Sequence, residues 1–507
     1  MLPAEIMHHI LAWLPCRELV LLGRVCRQLR DATAEDLLWQ RLLRPNIAGR
    51  DFPHHPFPSN TFRDLYITHH PYWFVARNKI WISDDPFVGR IMLCKFDPRR
   101  GCIEGYRLLA ERGASQTIVW PHLPGVVIHT FNPHVRLWLD DPVLKLAHNP
   151  TAFRWWEDEI CMSIGRPGHN ISASFFLSRD LPDCALHPSM VVWPPRSIPN
   201  MPRVRASSGD DKLGAKAHKP QRYDQISQTT FRMRNWSQFA LNLSTYGIRI
   251  GEQVTTWSTL DPGLYTPTEE KPYQGIFVGD YAGHGCEFLL VMQTDGPAGL
   301  PGHGHGRRGQ EQDAAAGRQQ HATDPESGPS SQPPSSSGTQ PPSSSAPQPP
   351  SSSATLPLSS SATLPLSPSA TLPLSPSATL PLSPSILTDL PATSAIHDDP
   401  SIFRGAIEAV KLTGDPNVPR GEHSFIAEDI GPAGFIRTAM EKPFVGARVV
   451  RSRGHVAARG FVHDEFIPSQ LLLISHDRLA QYWVPYGHIS FYNRVDIDDL
   501  INTTFGP

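Results

Sequence analysis

At 507 residues the chain exceeds one ordinary domain and has room for two or three. A formal net charge of −2 and a near-neutral isoelectric point give no electrostatic pull toward nucleic acid or an anionic membrane, so neither is expected as a partner. The 52 prolines are about twice average usage and mark a biased segment. Seven cysteines, odd in number and never in a CxxC pair, argue against a disulfide framework and for a reducing compartment, cytoplasm or nucleus. Glu5, His8 and His9 interrupt any signal-peptide core, and no run reaches the roughly 18 apolar residues of a membrane span.

Residues 2–43 read as compact helix. Pro3 suits a first helical turn, where its missing N–H loses nothing, and Ile6, Ile10, Leu11 and Leu14 follow at helical spacing until Pro15 ends the run. A second helix is expected from about Arg17, with Leu19, Leu22, Val25, Cys26 and Leu29 on one side. A third starts near Thr33 and Asp36 and carries Leu38, Trp39 and Leu42. Three helices in about 42 residues cannot close a self-sufficient core, so their remaining apolar face must be buried on a partner or on the rest of the chain.

The string LPxEIxxxILxxLPxxxLxxxxxVCRxLRxxxxxxxLW closely resembles the F-box pattern, with Arg30, Leu38 and Trp39 also on matching positions. The resemblance implies docking onto the adaptor of an SCF-type ubiquitin ligase and, through it, onto cullin and RING subunits. The contacts it implies fall to Leu2, Pro3, Ile6, Ile10, Leu11, Leu14, Pro15, Leu19, Leu22, Val25 and Cys26, with Trp39 packing the module itself. The bland alternative is a small helical core inside a larger fold.

Residues 45–296 read mainly as short strands with turns: 73–83, 88–97, 117–120, 125–131 and 135–139, punctuated by Asp97-Pro98 and Asn132-Pro133, with one helix expected over 225–241. Residues 297–400 are of low complexity. Three PPSSS units precede an octapeptide, SATLPLS(P/S), repeated four times over 353–384. Proline in every copy removes backbone donors, and the composition buries too little apolar surface to offset chain entropy, so disorder is expected. Ser367, Ser375 and Ser383 precede prolines and would suit a proline-directed kinase; a neutral spacer is the simpler reading. His303 and His305 in GHGHG do not make a metal site by themselves. Strand patterning resumes over 401–507.

Segments 273–293, 406–425 and 454–495 resemble the substrate-binding region of the F-box only protein 31 family. The residues that carry this are Gly275, Gly279, Tyr281, His284, Gly285 and Glu287; Thr413 to Asn417 with Pro419; and Gly460, Phe461, Asp477, Arg478, Trp483, Phe491, Arg494 and Val495. Residues 70–150 resemble fungal F-box proteins, which points to a fungal source. The likeness implies an α+β fold: a three-helix F-box (1–44), then a mainly antiparallel, barrel-like substrate-binding domain split by the disordered insertion. In the family the HGxE and TGDPNxP strands are close in sequence, whereas here the tract separates them. Lengthening a loop from about four to about 100 residues costs only roughly 3 kcal/mol, because the term is logarithmic. The tract is therefore expected to loop out of one discontinuous domain.

Candidate client-binding residues are Tyr281, His284, Glu287, Asp415, Asn417 and Trp483 from these motifs, and Arg451 and Arg453 from the basic run Arg448, Arg451, Arg453 and Arg459. Each also has a structural reading. On a strand the offset of His284 from Glu287 puts them on opposite faces, Gly279, Gly283 and Gly285 indicate bulges or close backbone approach, and TGDPNVP is turn chemistry. The arginines either guard a strand edge or receive an acidic client tail, guanidinium matching carboxylate geometry. No Ser/His/Asp set, phosphate loop or zinc spacing is present, so no catalytic group, cofactor or metal is expected. The sequence thus points to a non-catalytic receptor subunit of a ubiquitin ligase that presents client proteins for degradation. The alternatives are a non-ligase F-box scaffold with a ligand-sensing barrel and, least favoured, a cryptic enzyme.

Overall fold

The computed structural model describes residues 3–47, 52–113, 117–147, 159–162, 164, 171–182, 191–200, 202–205, 219–240, 247–281, 284–296 and 400–502. The proline-rich tract with its repeats, His303 and His305, and the three serines before proline lie outside them, as do Leu2, Cys184 and Gly283.

The N-terminal module holds four helices, α1 (Ala4–Leu11), α2 (Cys16–Leu22), α3 (Arg27–Thr33) and α4 (Asp36–Leu43). The second expected helix is thus two. The chain turns extended at Cys26, whose sulfur accepts from Leu29 N at 3.5 Å and caps α3. Thr33 ends α3 rather than starting α4, and its carbonyl accepts from Trp39 Nε1 at 2.8 Å. Two more helices follow, α5 (Phe62–His69) and α6 (Trp73–Arg77). Thr61 Oγ1 caps α5 by accepting from Asp64 N, and Asp36 Oδ1 accepts from Phe62 N, tying α5 to the module. Residues 73–77, read as the start of a strand, are the helix α6.

The first sheet is built from β1 (Ile80–Ser83), β2 (Ile91–Asp97) and β3 (Cys102–Arg112), then, beyond the hairpin β4 (Thr117–Val119) and β5 (Val127–His129), from β6 (Pro133–Leu137), β7 (Leu144–Leu146), β8 (Ile160–Met162) and β9 (Ile171–Arg179). A small ribbon, β10 (Val192–Trp193) and β11 (Val204–Arg205), precedes its last two strands, β12 (Ile226–Ala240) and β13 (Gly247–Ser258). The order is β6-β3-β2-β1-β13-β12-β9-β8, with β7 also on β3, and every pairing is antiparallel. The helix expected over 225–241 is therefore the strand β12. Its Phe-Arg-Met-Arg run alternates with period two, sending Phe231 and Met233 into one core, and β9 and β13 hydrogen-bond both its edges.

After a short helix, α7 (Pro262–Tyr265), come β14 (Gly275–Asp280), β15 (Cys286–Gln293), β16 (Ile407–Lys411), β17 (His423–Ala427), β18 (Phe435–Thr438), β19 (Arg448–Ala458), β20 (Val462–Ser475), β21 (Arg478–Trp483) and β22 (His488–Arg494), and then α8 (Ile497–Asn502). Eight of these close a barrel, β14-β15-β16-β17-β19-β20-β21-β22 and back to β14, with β18 beside β19 and the β4–β5 hairpin added in parallel to β22. Arg494 fastens the closing seam, donating to the carbonyls of Pro272 and His476 at 2.5 Å each and pairing with Asp477 at 2.6 Å. Strands β15 and β16, on either side of the tract, are antiparallel neighbours, Gln293 opposite Ile407.

The first sheet is the middle layer. One of its faces (Ile80, Ile82, Ile91, Leu93) shares a core with the outer barrel face (Ile276, Val278, Leu290, Val410, Leu472, Phe491). The other face (Trp81, Met92, Phe96, Phe231, Trp257) shares a core with Leu11, Leu19, Leu38, Trp39 and Leu43 of the N-terminal helices. Burial on both faces explains why β1 and β2 read as unbroken apolar runs. The helical module has no separate core. Trp39, 1% exposed, touches Tyr66 of α5 at 5.6 Å between ring centres. Trp39→Ala is accordingly expected to lower the stability of the whole chain by roughly 3–5 kcal/mol, read from urea unfolding. A fragment of residues 1–47 alone should lack helical circular dichroism.

Candidate functional site

Inside the barrel, alternate residues of each strand point to the axis. One end is apolar, packed by Tyr273, Val291, Ile407, Val450, Leu471, Leu473 and Leu479. Towards the other end the same inward register brings Glu287 beyond Leu289, Lys411 beyond Ala409, Ser452 beyond Val450, Ser469 beyond Leu471 and Gln481 beyond Leu479. Gln481 Nε2 donates to Ser469 Oγ at 2.6 Å, and Ser452 and Ser469 are 2.9 Å apart. Above this polar layer opens a cavity of about 300 Å³, lined by Tyr281, His284, Lys411, Asp415, Asn417, His455, Trp483, Tyr486 and His488 among others.

Its floor is an ionic cluster. Lys411 Nζ lies 2.7 Å from Glu287 Oε2 and 2.8 Å from Asp415 Oδ2, all three side chains being almost fully buried. The ammonium also sits 4.5 Å from the ring centre of Tyr281, whose hydroxyl meets Ser424 Oγ. Burial, aided by the neighbouring Asp415 carboxyl and opposed by the charge of Lys411, pushes Glu287 up to about 8. Asp415 is also penalised by burial, but the hydrogen bond from Glu287 and the charge of Lys411 hold it down at about 2. Two carboxyls thus face one lysine, and Oε1 of Glu287 is buried with no hydrogen-bond partner among the described residues. Asp415 also accepts from the backbone N–H of Asn417 (2.6 Å) and Val418 (3.0 Å), which ties the TGDPN turn to the cluster. Asn417 Nδ2 donates to Ala457 O at 2.9 Å, and His284 stands at the rim with Nδ1 3.8 Å from Asp415.

Two glycines make room for the aromatic walls. A Cβ on Gly279 would collide with the ring of Tyr492 on the opposing strand, and one on Gly454 with the indole of Trp483. Gly285 takes φ +89°, a left-handed turn before β15.

Five expected client residues, Tyr281, His284, Asp415, Asn417 and Trp483, thus meet in one cavity, and Glu287 lies beneath it. His284 precedes β15 instead of lying on it, so its separation from Glu287 is set by the turn rather than by strand alternation. Lys411, central to the cluster, went unnoticed in the sequence; a lysine between Val410 and Leu412 in an apolar strand was the available signal. Arg451 and Arg453 lie elsewhere, on a cavity of about 900 Å³ between β18, β19 and β20. Arg453 pairs with Glu428 at 3.2 Å, Arg451 donates to Ala433 O, and Arg448 is held between Phe403 and Phe435 by the carbonyls of Ile430 and Gly431.

Among the expected adaptor residues, Leu11 and Leu19 are buried in the shared core, with Leu14 and Leu22 half-buried against it. These four hold the module together. Pro3, Ile6, Ile10, Pro15, Val25 and Cys26 are exposed, joined by Trp13 (75%) and Leu21 (50%), which sequence reading left out.

Residues 1–45 match a family model described as F-box-like, and residues 257–499 match one described as a cyclin D1 binding domain. The chain therefore carries an F-box-like domain at its N-terminus, the class of module that docks onto the adaptor of SCF-type ligases. The second match runs from β13 through the barrel to α8. No match to the chain is found among curated proteins.

The raised Glu287 carboxyl has a thermodynamic signature. With its folded value raised above 4.5, Glu287 stabilises the fold fully below about pH 4.5 and loses that contribution as pH rises through 8; Asp415 loses its own only as pH falls towards 2. Between pH 5 and 8 the wild-type unfolding free energy should therefore fall relative to that of Glu287→Gln by roughly 2–4 kcal/mol, at 1.36 kcal/mol per pKa unit. Urea titrations of the two proteins across that range measure the difference.

Proposed function

We propose that the protein is the client-binding subunit of an SCF-type ubiquitin ligase, related to the F-box only protein 31 family and working in the cytoplasm or nucleus. It contributes proximity rather than catalysis: the F-box-like module holds the adaptor and thereby cullin and RING subunits, while the barrel mouth holds the client. The observation that carries this reading is the exposed apolar row Ile6, Ile10, Trp13, Leu21 and Val25 on a matched F-box-like module. These five large apolar side chains, with Leu37 (65%), are left to water on a small helical module, which favours a partner surface.

The barrel mouth fits the client role because it combines aromatic walls with a buried, hydrogen-bonded ionic floor, the mixture that fixes a ligand group in orientation. The model matched by residues 257–499 is described as binding cyclin D1, so a D-type cyclin is the first client to try. The six described cysteines are all unpaired, in keeping with a reducing compartment.

Co-purification separates the two ends. Ile6→Asp/Ile10→Asp should lose adaptor and cullin at least tenfold while keeping cyclin D1. His284→Ala/Tyr486→Ala, at exposed rim positions, should keep adaptor and lose cyclin D1. Failure of the intact chain to recover the adaptor would contradict the ligase reading; recovery of the adaptor with no cyclin D1 would remove the cyclin alone.

A further inference from the structure

A second cavity, about 880 Å³, opens between the F-box-like module and the receptor part. One wall is α2, with Pro15, Cys16, Arg17, Val20, Leu21 and Arg24; the other is Tyr66, Ile67 and His70 at the end of α5, with Tyr223 and Asp224 before β12. The second wall is rigid. Tyr66 stacks on His70 at 5.7 Å, His70 on Tyr223 at 5.6 Å, and the Tyr223 hydroxyl bonds His70 Nε2 at 2.7 Å. Tyr66 in turn leans on Trp39, so this wall is fixed to the F-box-like core.

Three features make the groove a docking surface with a definable occupant. It exposes apolar side chains from both walls, Leu21 (50%), Ile67 (42%) and Tyr223 (50%). Its charge is unbalanced: Asp224 is held by Arg222 at 2.8 Å, while among the described residues no carboxylate lies within ion-pair distance of Arg17 or Arg24. It is also continuous with the exposed apolar row of the module, since Leu21 belongs to both.

We propose that the adaptor's footprint extends beyond the F-box-like module into this groove, where an acidic, apolar segment of the adaptor packs between α2 and Ile67–Tyr223. The receptor part then contributes directly to adaptor affinity and fixes the angle at which the client is presented. The proposal rests on the ligase reading above. Arg17 and Arg24 select against a basic occupant.

The test uses the full chain and recombinant adaptor. Ile67→Glu, on the exposed side of α5 and outside the module, should weaken adaptor binding about tenfold with an unchanged melting temperature. Arg17→Glu/Arg24→Glu should weaken it and flatten its dependence on salt. Hydrogen exchange of residues 62–70 should slow when adaptor is added. Unchanged affinity for Ile67→Glu together with unprotected 62–70 overturns the proposal, provided Ile6→Asp/Ile10→Asp abolishes binding. If that F-box variant binds normally, the ligase reading fails instead. If deleting residues 297–399, and not adding adaptor, changes exchange at 62–70, the groove belongs to the chain's own tract and the proposal is equally overturned.

Discussion

Everything in this structure follows from a helical module of some forty residues that has no core of its own. Leu11, Leu19, Leu38, Trp39 and Leu43 are buried in one cluster with side chains of α5, α6 and one face of the first sheet. A chain this short cannot shield enough apolar surface by itself, so the module's inner face is covered by the elements that follow it and its outer face is left exposed. The same packing fixes which side chains are offered to a partner. Ile6, Ile10, Trp13 and Leu21 remain on the surface because Leu11 and Leu19 have turned inward.

The first sheet transmits that constraint. With helices on one face and the outer wall of the barrel on the other, it is a stiff plate, its strands apolar on both sides. The barrel beyond it separates apolar from polar packing along its own axis: aliphatic and aromatic side chains fill one end, and hydroxyls, an amide and the Glu287–Lys411–Asp415 cluster fill the other. Buried ions of this kind are expensive unless paired, and here one ammonium stands between two buried carboxyls beneath a cavity. The tract between β15 and β16 interrupts neighbouring strands without disturbing their pairing, which agrees with the weak logarithmic dependence of loop closure on length.

Much of this was legible in the residues. Prolines at 3 and 15, the helical spacing of Ile6, Ile10 and Leu14, and the LW pair identified the N-terminal module, while turn dipeptides marked antiparallel strands. The failures have physical causes. The break between α2 and α3 depends on a thiol cap at Cys26, a weak signal in sequence. Strand β12 differs from the helix its residues suggest because their polar, mixed composition says little locally; pairing on both edges decides it. Tyr281, Asp415, Asn417 and Trp483 were singled out by motif, yet their convergence with Lys411 arises from barrel closure, which no local pattern encodes. Arg451 and Arg453, grouped with them as candidates, belong to a different cavity.

The central claim is that one folded body holds the adaptor-docking face and the barrel mouth at a fixed separation. Spin labels introduced through non-canonical amino acids at Glu5 and Tyr486, both exposed, would measure it by double electron–electron resonance on the full chain. The account predicts a single narrow distance distribution that adaptor binding leaves in place. A broad or two-peaked distribution, or one that narrows only when adaptor is added, would mean that the module hinges on the sheet and barrel, and would contradict it.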